Sequence, residues 1–135
     1  MPKSDQELKQ YYQAFLDNNG LIHVVFAVPA KDSQDNMRKA ELIEHDILAL
    51  YKTHPGKRFR MLVDLVPLGE NHFIPEGARE VYFRIASNPQ LEKMAVVGLN
   101  PHLKGTIQFL AQVSSGEGRI QWFEDEVKAL EWLMA

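Results

Sequence analysis

FRMLVDLVPLGENHFIPEGAREVYF, Phe59 to Phe83, decides how the rest of the chain is read. Its first part, Phe59–Pro67, is apolar at Phe59, Met61, Leu62, Val63, Leu65 and Val66, with no clean alternation of polar and apolar positions. A strand of that kind is covered on both faces, as in the middle of a sheet flanked by helices. A polar, turn-rich loop follows, Leu68–Gly77, and then a helix, Ala78–Ala86. One carboxylate, Asp64, stands inside the apolar run where the loop begins. In open α/β sheets, sites gather beyond the carboxyl ends of central strands.

Working outward, composition sets the bounds. A chain of 135 residues fits a single domain, residues 1–135, able to bury roughly two-thirds of its unfolded surface. With 45% hydrophobic residues and a mean hydropathy of -0.28, an ordinary soluble globular protein is expected. A net charge of -3 and a pI near 5.9 argue against a nucleic-acid partner, whose phosphates call for a basic surplus. Lys57, Arg58 and Arg60 read as a solvated entry to the central strand. Cysteine is absent, so disulfides, thiolate nucleophiles and Cys-ligated zinc are excluded. The start MPKSDQELKQ has no apolar core of a signal peptide, and no run approaches the roughly 20 apolar residues of a membrane span. A cytoplasmic location is the expectation.

The local signals lay out the remaining elements. Ser4-x-x-Glu7 can open a short helix as a capping box before Tyr11. Asn19-Gly20 is a hairpin signal, because both residue types tolerate the positive φ of a tight turn. It separates strands Tyr12–Asp17 and Leu21–Val28, the second stopped by Pro29. Ser33 is placed to cap a long helix, about Gln34 to Thr53, on which Met37, Ala40, Ile43, Ile47, Leu50 and Tyr51 share one arc. Glu44 projects into that arc, either at its edge or buried with a partner. His54-Pro55-Gly56 ends the helix. After the central strand, Pro75 suits a first helical turn, and Ala78, Val81, Tyr82 and Ile85 form the inward stripe. Phe83, Arg79 and Glu76 fall on the opposite face, which should be wet. Met94–Leu99 reads as a short buried strand, and Asn100-Pro101 starts a helix with Leu103, Ile107 and Leu110 inward. Beyond Gly116-Glu117-Gly118, a strand Arg119–Phe123 precedes a closing helix with an acidic start and a core face of Val127, Leu130 and Leu133. Helices alternating with strands predict an α/β fold, a mixed and mostly parallel sheet of about five strands with an N-terminal antiparallel hairpin and four helices.

That order of elements resembles the STAS-like domains, the anti-anti-sigma factors and the cytoplasmic tails of sulphate transporters. A bacterial single-domain branch is the nearest likeness. The residues that carry it are Val63–Leu65, Ile74–Tyr82, Ala95–Gly98 and Gln121–Leu133. The resemblance implies regulation by docking to a protein partner. Anti-anti-sigma domains carry a serine in the turn before the second helix that a partner kinase phosphorylates. With that turn aligned on Gly77, Pro75 and Glu76 stand where the serines would be, and neither accepts phosphate. Glu76 can imitate a fixed negative charge at a helix N-terminus, or it is simply a good first-turn residue.

Catalytic signatures are missing: there is no Gly-x-Ser-x-Gly elbow, His-Glu-x-x-His, P-loop or dinucleotide-binding glycine pattern. Glu41 and His45 make half of a metal site with no second pair, so no metal and no cofactor is expected. His23 reads as a half-buried strand residue, and Ser114-Ser115 as a surface turn. Asp64 with Glu70, His72 and Glu76 is the one grouping able to do acid/base work. Two functional readings are left. In the first, a non-catalytic regulatory domain presents the loop and second-helix face (Glu70, His72, Phe73, Glu76, Arg79 and Phe83) to a protein partner or a second copy of itself, with Phe83 as anchor. In the second, a small apolar, lipid-like ligand occupies a pocket lined by Phe73, Phe109, Trp122 and Trp132, as in lipid-exchange domains of the CRAL-TRIO type.

Overall fold

The computed structural model describes residues 2–69, 74–113 and 118–135, with the backbone alone at 110 and 113. Glu70, His72 and Phe73 of the expected partner surface, the Leu110 side chain and the Ser114-Ser115 turn lie outside the described residues. A four-residue helix α1 (Asp5–Leu8) is held by the reciprocal capping box of Ser4 and Glu7. Then come strands β1 (Tyr12–Leu16) and β2 (Leu21–Phe26), helix α2 (Ser33–Thr53), β3 (Phe59–Asp64), α3 (Glu76–Ala86), β4 (Leu91–Val97), α4 (Pro101–Val113), β5 (Ile120–Phe123) and α5 (Glu126–Met134).

The sheet order is β1-β2-β3-β4-β5, with β1 antiparallel to β2 and every other neighbour parallel. The long apolar strand is therefore central, as its composition predicts. Each crossover adds its strand on the same side of the last. Right-handed connections made always in one direction place their helices on one face of the sheet. The core follows: Ile22, Val24, Phe26, Phe59, Met61 and Val96 pack with residues of α2, α3 and α4, while Leu21, Leu62, Ala95 and Val97 face Ala129 and Leu133 of α5.

The structure corrects several boundaries. The hairpin turn is a three-residue loop, Asn18-Asn19-Gly20, in which Gly20 alone has positive φ, 83°. Asp17 holds it, its Oδ1 accepting from the Asn19 and Leu21 amides at 2.8 and 3.0 Å. The cap of α2 is Asp32 rather than Ser33, because its carboxylate accepts from the Asp35 amide at 3.1 Å. The central strand stops at Asp64: the next residues wind into a 3-10 turn, Val66–Leu68, containing Pro67. On α5, Val127 is 61% exposed, and the small Ala129 occupies the sheet-facing position instead. Nothing in its residue type forbids Val127 from the core; the helix axis sets which arc is covered.

Gly98, at the end of β4, is required by packing. A Cβ there would lie 2.6 Å from the Trp122 ring and 3.3 Å from the Leu65 side chain. The indole must shift to admit it, and the Leu65 Cβ, fixed to its backbone, cannot. Gly98→Ala should therefore cost about 1–3 kcal/mol by overpacking, measured as a lower urea midpoint at unchanged slope.

Candidate binding cleft

Two different neighbours hold α3 and α4, and a cleft opens between them. α3 packs on α2, and α4 on β5. Gly77 brings the start of α3 close to α2, its ideal Cβ position lying 3.2 Å from the Met37 sulfur. Further along, Arg84 clasps Glu44 with two hydrogen bonds of 3.0 Å. Glu44 is thus at the stripe's edge and paired, its side chain 19% exposed. Toward α3, α4 presents Gly105 and Thr106, too small to close the space; a Cβ on Gly105 would meet nothing within 4 Å.

The cleft has a volume of about 810 Å³, with Phe83 and Phe109 as its apolar surface and Glu76, Arg79, Glu80, Arg84 and His102 around them. Phe83 is half-buried in it rather than standing on a wet face. Phe109 is 62% exposed. At the foot of the cleft lies an apolar cavity of about 60 Å³. Its floor is the sheet (Val24, Phe26, Met61, Val63, Met94, Val96, Ile120), and its walls come from Ile43 and Ile47 of α2, Tyr82 and Ile85 of α3, and Ile107 of α4. Arg79 and Thr106 border both spaces. The Arg79 side chain is tied back, its Nε donating to the Ile74 carbonyl at 3.0 Å.

The residues expected at the site separate. Glu76 and Arg79 are exposed at the start of α3, with no side-chain cap from Pro75. Asp64 falls on the Leu62 side of β3, the face that α5 covers, by the two-residue alternation of a strand. Its Oδ1 accepts from the Val66 amide at 2.9 Å and closes the turn out of the strand. Asp64 and Glu76 are therefore on opposite sides of the sheet, and the acid/base grouping does not assemble from the described residues. The aromatic set also divides. Trp132 packs on Phe123 with the α5 face, Trp122 joins the other core, and Phe109 lines the open cleft. Phe26 and Tyr82, not these, give the cavity its aromatic lining. Glu41 is bonded by Arg38 at 3.4 Å, His45 lies 3.7 Å from Asp46, and no metal-binding cluster occurs among the described residues. His23 is half-buried as expected, 2.8 Å from Asp17 and stacked on Phe15.

Sequence reasoning missed Lys39. It is 1% exposed on α2, and its Nζ has no hydrogen-bond partner among the described residues. Its ammonium stands 5.0 Å from the centre of the Phe26 ring. The signal was present: Lys39 lies one turn before Ile43 and beside Ala40, inside the buried arc. A lysine there is ordinarily read as snorkelling to water.

With the geometry in view, the molecule is a three-layer α/β domain of the STAS type, with a cleft of mixed lining on its three-helix face and an apolar cavity beneath it. The SpoIIAA-like family profile matches residues 22–134, and the chain belongs to that family. Among solved structures, it is similar to an uncharacterised protein of the DUF3478 family with a SpoIIAA-like fold from Shewanella loihica PV-4. The two share 14% identity, with 90% of this chain and 91% of that chain covered and a TM-score of 0.56. No curated protein matches. Among the described residues, no helix is long and apolar enough to cross a membrane.

Burial sets the pH behaviour. Desolvation pulls the Lys39 ammonium down from 10.5 to about 8. Between those values the unfolded chain binds more protons, so stability must rise with pH across that window. Burial pushes the Tyr51 phenol from 10.0 up to about 12 and holds Tyr82 above its ordinary value. Tyrosines therefore ionise first in the unfolded chain, and stability falls again above pH 10. Stability should climb from about pH 8 to 10, by a Lys39 contribution on the order of 3 kcal/mol at most. Lys39→Met should be more stable than the parent at neutral pH and lose the climb, as urea unfolding across that range would report.

Proposed function

We propose that this chain is a non-catalytic binding domain whose α3–α4 cleft takes a small apolar ligand. The observation that supports it is the apolar cavity opening at the foot of the cleft. A water needs two to four polar partners to sit in a cavity. Here the lining is apolar apart from Tyr82, Arg79 and Thr106; Arg79 donates to the Ile74 carbonyl and Thr106 to the His102 carbonyl. An occupant with no need of hydrogen bonds fits better. At about 60 Å³ the cavity is under half of the roughly 150 Å³ that admits benzene in an engineered protein. It therefore receives one end of a ligand, and the cleft above, within the usual range for small-molecule sites, takes the body.

The test is native mass spectrometry of gently purified protein together with titration of 1-octanol. A bound small mass, or saturable octanol binding, is expected. Thr106→Trp, which sets an indole in the mouth of the cavity, should abolish both while costing about 1 kcal/mol of stability, as for a half-buried helical site. A clean apo mass with no octanol binding would remove this reading.

A protein partner in the same cleft is the second reading, favoured by the exposure of Phe109 beside Phe83 and the mixed charges around them. For that case Phe83→Asp should abolish self-association or capture of a partner in sedimentation velocity, with a stability loss near 1 kcal/mol for a half-buried ring. An unfolded variant would show that Phe83 belongs to the core.

A further inference from the structure

We propose that the ligand of this cleft is an apolar monocarboxylic acid, and that Lys39 is the cation that receives its carboxylate. The inference rests on the apolar-ligand reading above and names the chemical class. Lys39 is enclosed to 1% exposure, and its Nζ has no hydrogen-bond partner among the described residues. The acids on its own side of α2 are engaged elsewhere: Asp35 accepts from the Lys3 amide at 2.9 Å, and Asp46 from the Tyr12 hydroxyl at 2.6 Å. What the ammonium does meet is the ring of Phe26, at 5.0 Å.

Phe26 joins the two places. It lines the cavity, and its ring packs 5.6 Å from that of Tyr82, which lines the cavity too. One side chain therefore stands between the buried amine and the apolar space. Phe26 is the last residue of β2, where the chain leaves the sheet for the turn into α2. A change of its rotamer links cavity and cation without breaking the sheet.

Burying an ammonium without a counter-charge is among the most costly arrangements in a protein interior. A carboxylate delivered on an apolar chain supplies the missing charge, while the chain fills the cavity and the cleft. Lys39 is a single cation and balances one negative charge; the other cation bordering the cavity, Arg79, stands at its mouth with its Nε donating to the Ile74 carbonyl. A phosphate dianion would stay half compensated, so the monoanionic acid is favoured.

Octanoate and 1-octanol, equal in chain length, separate head from tail by isothermal titration. The parent should bind octanoate about tenfold or more tightly than octanol. Lys39→Met, which keeps an unbranched apolar stem, should lose that preference with octanol affinity unchanged. Should the variant not fold, carboxyl-labelled octanoate and the parent suffice. Its affinity should fall as pH rises through 8 while that of octanol holds, and its carboxyl carbon should show a displaced resonance when bound. Equal affinity for the two probes, or octanoate binding that Lys39→Met leaves intact, overturns the assignment of Lys39 and spares the cleft. If the parent binds neither probe, the apolar-ligand reading falls as well.

Discussion

Everything distinctive about this domain follows from how three helices divide one face of a five-stranded sheet. Crossovers made in a single direction leave α2, α3 and α4 side by side. The helices do not space themselves evenly. Gly77 against Met37 and the Arg84–Glu44 pair draw α3 toward α2. The packing of α4 on β5 holds it away. The sheet cannot contract to match, because its strands are fixed near 4.8 Å apart by hydrogen bonding. A gap between α3 and α4 is what remains, and the side chains of α4 that would fill it are Gly105 and Thr106.

The opposite face has no such gap. One helix, α5, covers Leu62, Ala95 and Val97 through Ala129 and Leu133. Its close approach depends on small residues, and its C-terminal carbonyls are met from the sheet by Arg60 and by Lys93, the latter 3.1 Å from the Trp132 oxygen. Basic groups at the negative end of a helix dipole stabilise it. Arg60, which reads from sequence as a solvated strand entry, is thus part of how α5 is fastened. Asp64 lies on this side too and serves the turn after β3. A carboxylate at the end of a central strand is a pointer to a site only when the strand's alternation turns it toward the open face.

Much of the fold was legible in the chain, because its signals are local. Asn19-Gly20 marks the hairpin whether the loop has two residues or three. The unbroken apolar run of β3 requires cover on both faces. The arc of Ala40, Ile43, Ile47 and Tyr51 fixes how α2 lies. The site was less legible, because it depends on distances between helices that no single helix encodes. Phe83 shares a face with Arg79 and Glu76, as its spacing says, yet half-buried or wet is decided by how far away α4 stands. Trp122, Trp132 and Phe109 are equally aromatic in the sequence, and topology sends them to different places. Only the burial of Lys39 combined both kinds of information, being visible on the helical arc but implausible by residue type.

That implausibility is what gives Lys39 meaning. A methionine at this position would fill nearly the same volume without a charge to desolvate, so packing alone does not call for lysine. Buried polar groups are ordinarily satisfied by the protein's own atoms. Here the acids within reach of α2 are spent on Lys3 and Tyr12, and an aromatic face is a weak substitute for a carboxylate. On the proposed reading, an acid bound through the cavity to the amine behind Phe26 would stabilise the fold, by the ordinary linkage of binding to folding. In the proposed reading the cleft and the buried ammonium are two halves of one recognition, for a molecule apolar along its length and charged at its end.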